Sequence, residues 1–362
     1  MNIAQAFPVG EHLADELEAR GWSQAEFAEI IGRPVQFVSE IISGKRELTK
    51  EAAAQLASAF GMDAEHWLNL QTRYQVWLQE QDSEFQKSLS TIERKARQRD
   101  LAPVALLQKR GIISRGSLDE IDRELMDLYE ISDFGLRTRF ALAARKNDVE
   151  EELTELQLAW ALSIRKKAKE YFHAFGEYKE DDFRGEVENL AEISLVPEEF
   201  EGLQNRFHQV GVGLFYVENF PGAKIDGACF MLEGHPIIGL SGRGKRLDKV
   251  LFTLCHEVGH VLNGDISENS FMVDENIGGG ESNLESQEME ADGVASKLIL
   301  KNQNLDLTPA NIRSEWVKKE AERIGVHPIV VVGRLQNEGK LDWRTALAKN
   351  APNVDMYMSA WK

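Results

Sequence analysis

The run His256-Glu257-Val258-Gly259-His260 constrains this chain more than any other feature, because its spacing is useful only on a helix. Four residues advance a helix by about 400°, so residues four apart project from nearly one side, one turn above the other. Leu251, Leu254, Val258, Val261 and Leu262 recur around them at helical spacing and predict an apolar, core-facing side. The helix is expected from about Asp248 to Asn263, with Asp248 as N-cap and Gly264 as its stop. Before it, residues 212–217, 228–232 and 236–240 read as short strands, the last two forming a hairpin through Glu233-Gly234-His235.

Two imidazoles one turn apart can reach one metal ion, and Glu257 beside them can hold a water that the ion also reaches. The chemistry that needs this triplet is hydrolysis. Zinc lowers the pKa of its water to about 7, the carboxylate takes the proton, and the leaving amine later receives it. Such a centre uses three protein ligands and keeps a fourth position open. The third is sought in Glu285-Ser286-Gln287-Glu288-Met289-Glu290-Ala291-Asp292, the start of a helix continuing through Ala295, Leu298 and Leu300. Glu288 is the expected ligand, and Glu290, roughly 200° away around the helix, is the reserve. Asp292 shares a face with Glu288 and is expected to accept the second ring proton of a ligating histidine.

The bland reading of the same run is an amphipathic helix whose histidines are hydrogen-bonded in the core. The strands before it and the Glu-x-x-x-Asp pair after it weigh against that. Between the two helices, Asp265 to Glu285 is acidic, contains Gly278-Gly279-Gly280, and reads equally well as a mobile lid or an ordinary loop. Tyr216, His235, Arg243 and His327 are candidates for the neighbourhood of the site, and no pattern selects one to stabilise an oxyanion.

The other end of the chain is a cluster of short helices. Leu13 and Leu17 precede a break at Gly21; Ser23 and Glu26 form a capping box, with Phe27, Ile30 and Ile31 as the apolar stripe up to Gly32. A third helix begins near Pro34, turns Phe37, Val38, Ile41 and Ile42 inward and stops at Ser43-Gly44; a fourth runs from Thr49 to Phe60. Two helices joined by a short turn form a helix-turn-helix whose second helix can enter a major groove. Residues 1–70 hold five Lys or Arg against eleven Asp or Glu, and the whole chain carries a net charge of −18, so DNA contact requires a local basic patch. Without one, the segment reads as a protein-binding module. The charged run Glu93 to Asp100 is expected to be a solvated helix face.

Two resemblances bear on these readings. Gly21 to Ala28, Ile42 to Arg46 and Asp63 to Leu70 resemble the phage-repressor-like, HigA-type helix-turn-helix of the XRE family. That resemblance implies that Val35, Gln36 and Ser39 face base edges while Gln24, Arg33, Lys45 and Arg46 contact phosphates. Asp226-Gly227-Ala228, Leu240-Ser241, Phe252 to His260 and Glu288 to Asp292 together resemble the ImmA/IrrE metallopeptidase family. It implies a zincin-like domain with Zn2+ on His256, His260 and Glu288, catalysis by Glu257, and a repressor protein as substrate. The tail His327 to Gln336 is similar to the end of longer members that join both parts.

The expected fold is therefore α+β and mainly α: a helix-turn-helix over 1–72, a helical middle segment over 73–201, and a zincin-like domain with a small sheet over 202–362. The opening residues have no basic leader or apolar stretch, and Cys229 and Cys255 are too few for a disulfide framework, so a cytoplasmic setting with no membrane partner is expected. The function expected is a zinc endopeptidase coupled to operator DNA that regulates transcription by cleaving a repressor. The alternative is a HigA-like antitoxin or regulator with a structural or sensory metal site and no proteolysis. A toxin partner and a homodimer reading paired half-sites complete the expected partners.

Overall fold

Local capping sets the first helices. Ser23 Oγ accepts from the Glu26 amide (3.2 Å) while Glu26 accepts from the Ser23 amide (2.7 Å), and Gly21, in the left-handed region, closes the helix before. The computed structural model describes residues 5–136, 138, 145–146, 153–268, 271–274, 286–306 and 312–361, so Gly278-Gly279-Gly280 and Glu285 lie outside it. The chain divides into two compact units, Met1–Ala96 and Arg97–Lys362. No described helix is long and apolar enough to cross a membrane.

The first unit contains α1 (Val9–Arg20), α2 (Gln24–Ile30), α3 (Val35–Ile42), α4 (Lys50–Phe60) and α5 (Ala64–Gln81), followed by α6 (Ser83–Leu101), within which the division falls. Its core is built on Leu13, Leu17, Phe27, Val38, Ile41, Leu56 and Trp67, with Phe60 stacked 4.9 Å from Phe27. Gly10 lets α1 cross α3 closely, since a Cβ there would lie 2.4 Å from the Ile41 carbonyl oxygen. Two expectations are corrected. Ile30 is 51% exposed and leaves the apolar stripe to Phe27 and Ile31, and Pro34 is the N-cap of α3, one residue before its first turn.

In the second unit α7 (Val104–Lys109), α8 (Leu118–Tyr129), α9 (Glu155–Tyr171), α10 (Glu180–Val187) and α11 (Phe200–Gln209) surround a small mixed sheet. Its strands are β1 (Arg145–Lys146), β2 (Gly213–Tyr216), β3 (Gly227–Leu232), β4 (His235–Leu240) and β5 (Met272–Asp274), in the order β1-β5-β3-β4-β2. β3 and β4 form the expected hairpin, but its turn is only Glu233-Gly234, both with positive φ, and His235 already belongs to β4.

Alternation sorts the sheet between two cores. Leu214, Cys229, Ile238 and Leu240 face α12 (Leu247–Asn263), whereas Phe215, Phe230 and Ile237 face α9, where Trp160 donates to the Val217 carbonyl (2.8 Å). α13 (Ser286–Ile299), α14 (Ser314–Ile324), α15 (Pro328–Asn337) and α16 (Asp355–Met358) complete the α12 side.

His208 on α11 packs against Phe175 and Phe215, 4.8 and 5.3 Å between ring centroids, and burial holds its pKa down at about 4 from an ordinary 6.5. Folding therefore favours the neutral ring: its contribution is complete above pH 6.5 and is lost as pH falls towards about 4. The full loss is roughly 3 kcal/mol at about 1.36 kcal/mol per pH unit. Between about pH 7 and about pH 5, a His208→Gln chain should lose less of its urea midpoint than the native chain. An equal loss would place the acid sensitivity elsewhere.

Candidate metal centre and DNA-binding helices

The helix α12 carries the histidines, and its ends explain where they point. Gly264 adopts the expected left-handed C-cap, but Asp248 is not the N-cap. Arg246 holds that position, and its guanidinium binds both Asp248 carboxylate oxygens at 2.6 and 2.7 Å, drawing Asp248 into the first turn. Two glycines then bring other elements against the histidine side. A Cβ on Gly259 would lie 2.9 Å from Ala291, so glycine lets α13 approach closely; a Cβ on Gly227 would meet Glu257 Oε1 at 2.0 Å, so glycine makes room for that carboxylate.

The structure brings His256, His260 and Glu288 together. The two Nε2 atoms face each other at 3.0 Å, and Glu288 oxygens lie 3.3 and 3.5 Å from them. Glu288 is buried under the histidines, whereas Glu290 is exposed beside Ser286. His256 Nδ1 is 2.8 Å from Asp292, as expected, and His260 Nδ1 is 2.9 Å from Asp265, which sequence reasoning missed. With each Nδ1 proton directed to a carboxylate, both Nε2 atoms present lone pairs to the same point.

A second missed residue is Asp274. Its Oδ2 lies 3.5 Å from His256 Nε2 and 3.8 Å from His260 Nε2, because β5 pairs antiparallel with β3 in the register that puts Asp274 opposite Gly227. No periodic signal marks a three-residue strand. Asp265, in contrast, directly follows the helix stop at Gly264, and its amide bonds the His260 carbonyl at 3.0 Å, a position open to inspection in the sequence.

The electrostatics are those of a cation site. Glu257, Asp274 and Glu288 crowd two imidazoles, and both oxygens of Glu257, both of Asp274 and Oε1 of Glu288 are buried without a hydrogen bond. Burial, followed by the charge of Asp274, pushes the pKa of Glu257 well above the carboxylate range. Burial opposes a charged His256, but Asp274, Asp292 and Glu288 outweigh it and raise that pKa well above its usual value. Burial raises Glu288 as well, while Asp274 is held at about 2, burial being overcome by His256 and His260. Three buried carboxylates thus draw positive charge into the pocket, and its imidazole and carboxylate donors fit a borderline divalent cation such as zinc.

A cleft of about 400 Å³ opens alongside. Thr253, one turn before Glu257, and Asp226, next to Gly227, both line it, with Arg243, Lys249 and Phe252. Of the other candidates, His235 bonds the Gly211 carbonyl (2.8 Å), His327 caps the Ile329 amide (3.1 Å) and Tyr216 packs beside Gly242. Only Arg243 borders the cleft.

In the first unit, α3 leaves Val35, Gln36 and Ser39 exposed, and Gln24 and Lys45 are exposed as well. Arg33 and Arg46 are turned towards acids. Arg33 pairs with Glu51 (2.7 Å) and bonds Gln55 (3.0 Å); Arg46 pairs with Glu40 (2.7 Å), which also accepts from Gln36 (2.7 Å). Within the charged run, Gln98 is buried and donates to Asp122 (2.6 Å), so that run is not wholly a solvated face.

Comparison with known proteins divides along the same lines. The Helix-turn-helix family model matches residues 13–67, and the Peptidase_M78 model, the IrrE N-terminal-like domain, matches residues 210–336. An uncharacterised HTH-type transcriptional regulator of Haemophilus influenzae is 33% identical over 27% of this chain and 92% of its own length. Virulence-associated protein I of Dichelobacter nodosus is 34% identical over 23% of this chain and 78% of its own. Among solved structures, an addiction module antidote protein of a HigA family from Coxiella burnetii is 33% identical, covering 25% of this chain and 94% of that one, with a TM-score of 0.22.

Proposed function

Since this chain belongs to the helix-turn-helix transcriptional regulators and carries an M78 peptidase-like domain, we propose that it is a zinc endopeptidase that regulates transcription by cutting a repressor protein. The observation that carries the reading is Glu257, a carboxylate buried beside the histidine pair with no hydrogen bond to either oxygen. A site that only braces the fold has no use for such a group.

In this reading His256, His260 and Glu288 hold the ion, with Asp292 and Asp265 fixing the two ring orientations. Bound there, zinc would supply Lewis acidity. Glu257, buried beside the histidine pair, would take a proton from the attacking water and deliver it to the leaving nitrogen. The substrate backbone lies in the cleft beside Thr253 and Asp226. The test is to map new protein N-termini in cells holding the native chain or Glu257→Gln; their presence in both would end the peptidase reading.

A second reading, a regulator with a structural or sensory metal site, is favoured by one observation: Asp274 adds a fourth side chain to the cluster. In either reading Val35, Gln36 and Ser39 read bases, and Gln24, Arg33, Lys45 and Arg46 contact phosphates. Exchanging Arg33 and Lys45 together for alanine should weaken binding to operator DNA roughly tenfold and flatten its salt dependence in a gel shift. An unchanged salt slope would remove these two residues from the interface.

A further inference from the structure

Four side-chain donors surround the point where the two Nε2 atoms meet. With Glu288 measured from Oε2 to His256 and from Oε1 to His260, five of the six pairs lie 3.0, 3.3, 3.5, 3.5 and 3.8 Å apart, close to the roughly 3.3 Å between neighbouring ligand atoms of a tetrahedral zinc ion. The fourth donor is Asp274 Oδ2, and all four residues have ligand atoms within 4.8 Å of one another. Three ligands with an open position would leave that corner to solvent; here a carboxylate fills it.

We propose that Asp274 is a fourth ligand, occupying the corner that solvent or substrate needs, so that the resting chain is a closed centre that becomes hydrolytic when Asp274 withdraws. This rests on the metallopeptidase reading. Two further observations support it. Asp274 is 1% exposed and its Oδ2 has the two Nε2 atoms as its cationic partners at 3.5 and 3.8 Å, so a metal ion that displaces the ring protons takes over the charge that this buried carboxylate requires. Glu257 is 0% exposed, so a peptide carbonyl gains access to it only after a neighbouring element moves.

The end of β5 is the part suited to move. His256 and His260 are fixed on a helix of 17 residues and Glu288 on one of 14, whereas Asp274 ends a strand of three. β1 pairs with Met272 and Val273 but not with Asp274, so losing the pair Gly227↔Asp274 and the Asp226 amide's bond to the Asp274 carbonyl frees the carboxylate while the rest of β5 stays between β1 and β3. One carboxylate leaves the coordination sphere and its position opens to solvent. No covalent bond within the protein is made or broken, and no redox partner is required.

The experiment loads the full chain with Co2+ and follows its visible absorption with acetohydroxamate as a probe of the fourth position. The native chain should bind one Co2+ and keep its spectrum when acetohydroxamate is added. Asp274→Ala should bind Co2+ at least about tenfold more weakly and change its spectrum with the hydroxamate. Asp274→Asn, which preserves volume, carries the same test should the alanine chain fail to fold. A native chain that responds to hydroxamate, a variant of native affinity, or weaker binding without a hydroxamate response would each overturn the assignment. None of these readings uses proteolysis. A chain that shows the Co2+ behaviour yet cuts nothing, with or without Asp274, keeps this ligand and loses the peptidase function.

Discussion

Glu257→Gln is expected to load one zinc ion with native affinity and to generate no new N-termini, in the native background and in Asp274→Ala alike. Glutamine keeps the volume that Gly227 leaves open for this side chain, so the packing between α12 and β3 survives. It cannot accept a proton, and removing a positioned general base costs about 10²–10⁴-fold in rate. The substitution also has an expected sign for stability. Glu257 is fully buried, unbonded, and pushed up in pKa by burial and by Asp274, so replacing it with a neutral amide should leave the metal-free chain as stable or more stable. A residue present only to brace the fold predicts the reverse. Urea unfolding of the two metal-free chains measures that difference, and terminal proteomics measures the cleavage.

His260→Ala has the second large expected effect, on metal content and on the stability that depends on it. The ring is 0% exposed and holds one corner of the cluster, with Asp265 behind it. Its loss should reduce zinc from one per chain to a trace, as read by elemental analysis after gel filtration. At free zinc of about 100–1,000 times Kd, a bound ion stabilises the native state by roughly 3–4 kcal/mol. A chelator should therefore lower the melting temperature of the native chain by several degrees and leave that of His260→Ala unchanged. Stoichiometric zinc in the variant would put the ion somewhere other than between these helices.

How far the site was legible depended on how close its parts lie in the chain. The histidine pair, Glu257 between them and the stop at Gly264 fall within one helix, where the 3.6-residue period decides which side each residue takes. The same holds for Glu288 and Asp292, and for the capping box of Ser23 and Glu26. The Asp248 N-cap failed because Arg246, two residues earlier, binds that carboxylate, and local capping preference does not anticipate such a competitor. Ile30 failed because the short helix α2 buries a narrower face than its apolar residues cover.

Periodicity within single segments thus settled the element types, the hairpin and the side of the helix on which two imidazoles stand. That further carboxylates meet those imidazoles was settled by contacts between segments. Asp274 reaches them only through the register of β5 on β3, and the face of α13 that the helical period assigns to Glu288 and Asp292 meets the histidines because Gly259 lets α13 close upon α12. A strand register and a helix crossing are properties of surfaces that fit together, and no window of neighbouring residues carries them.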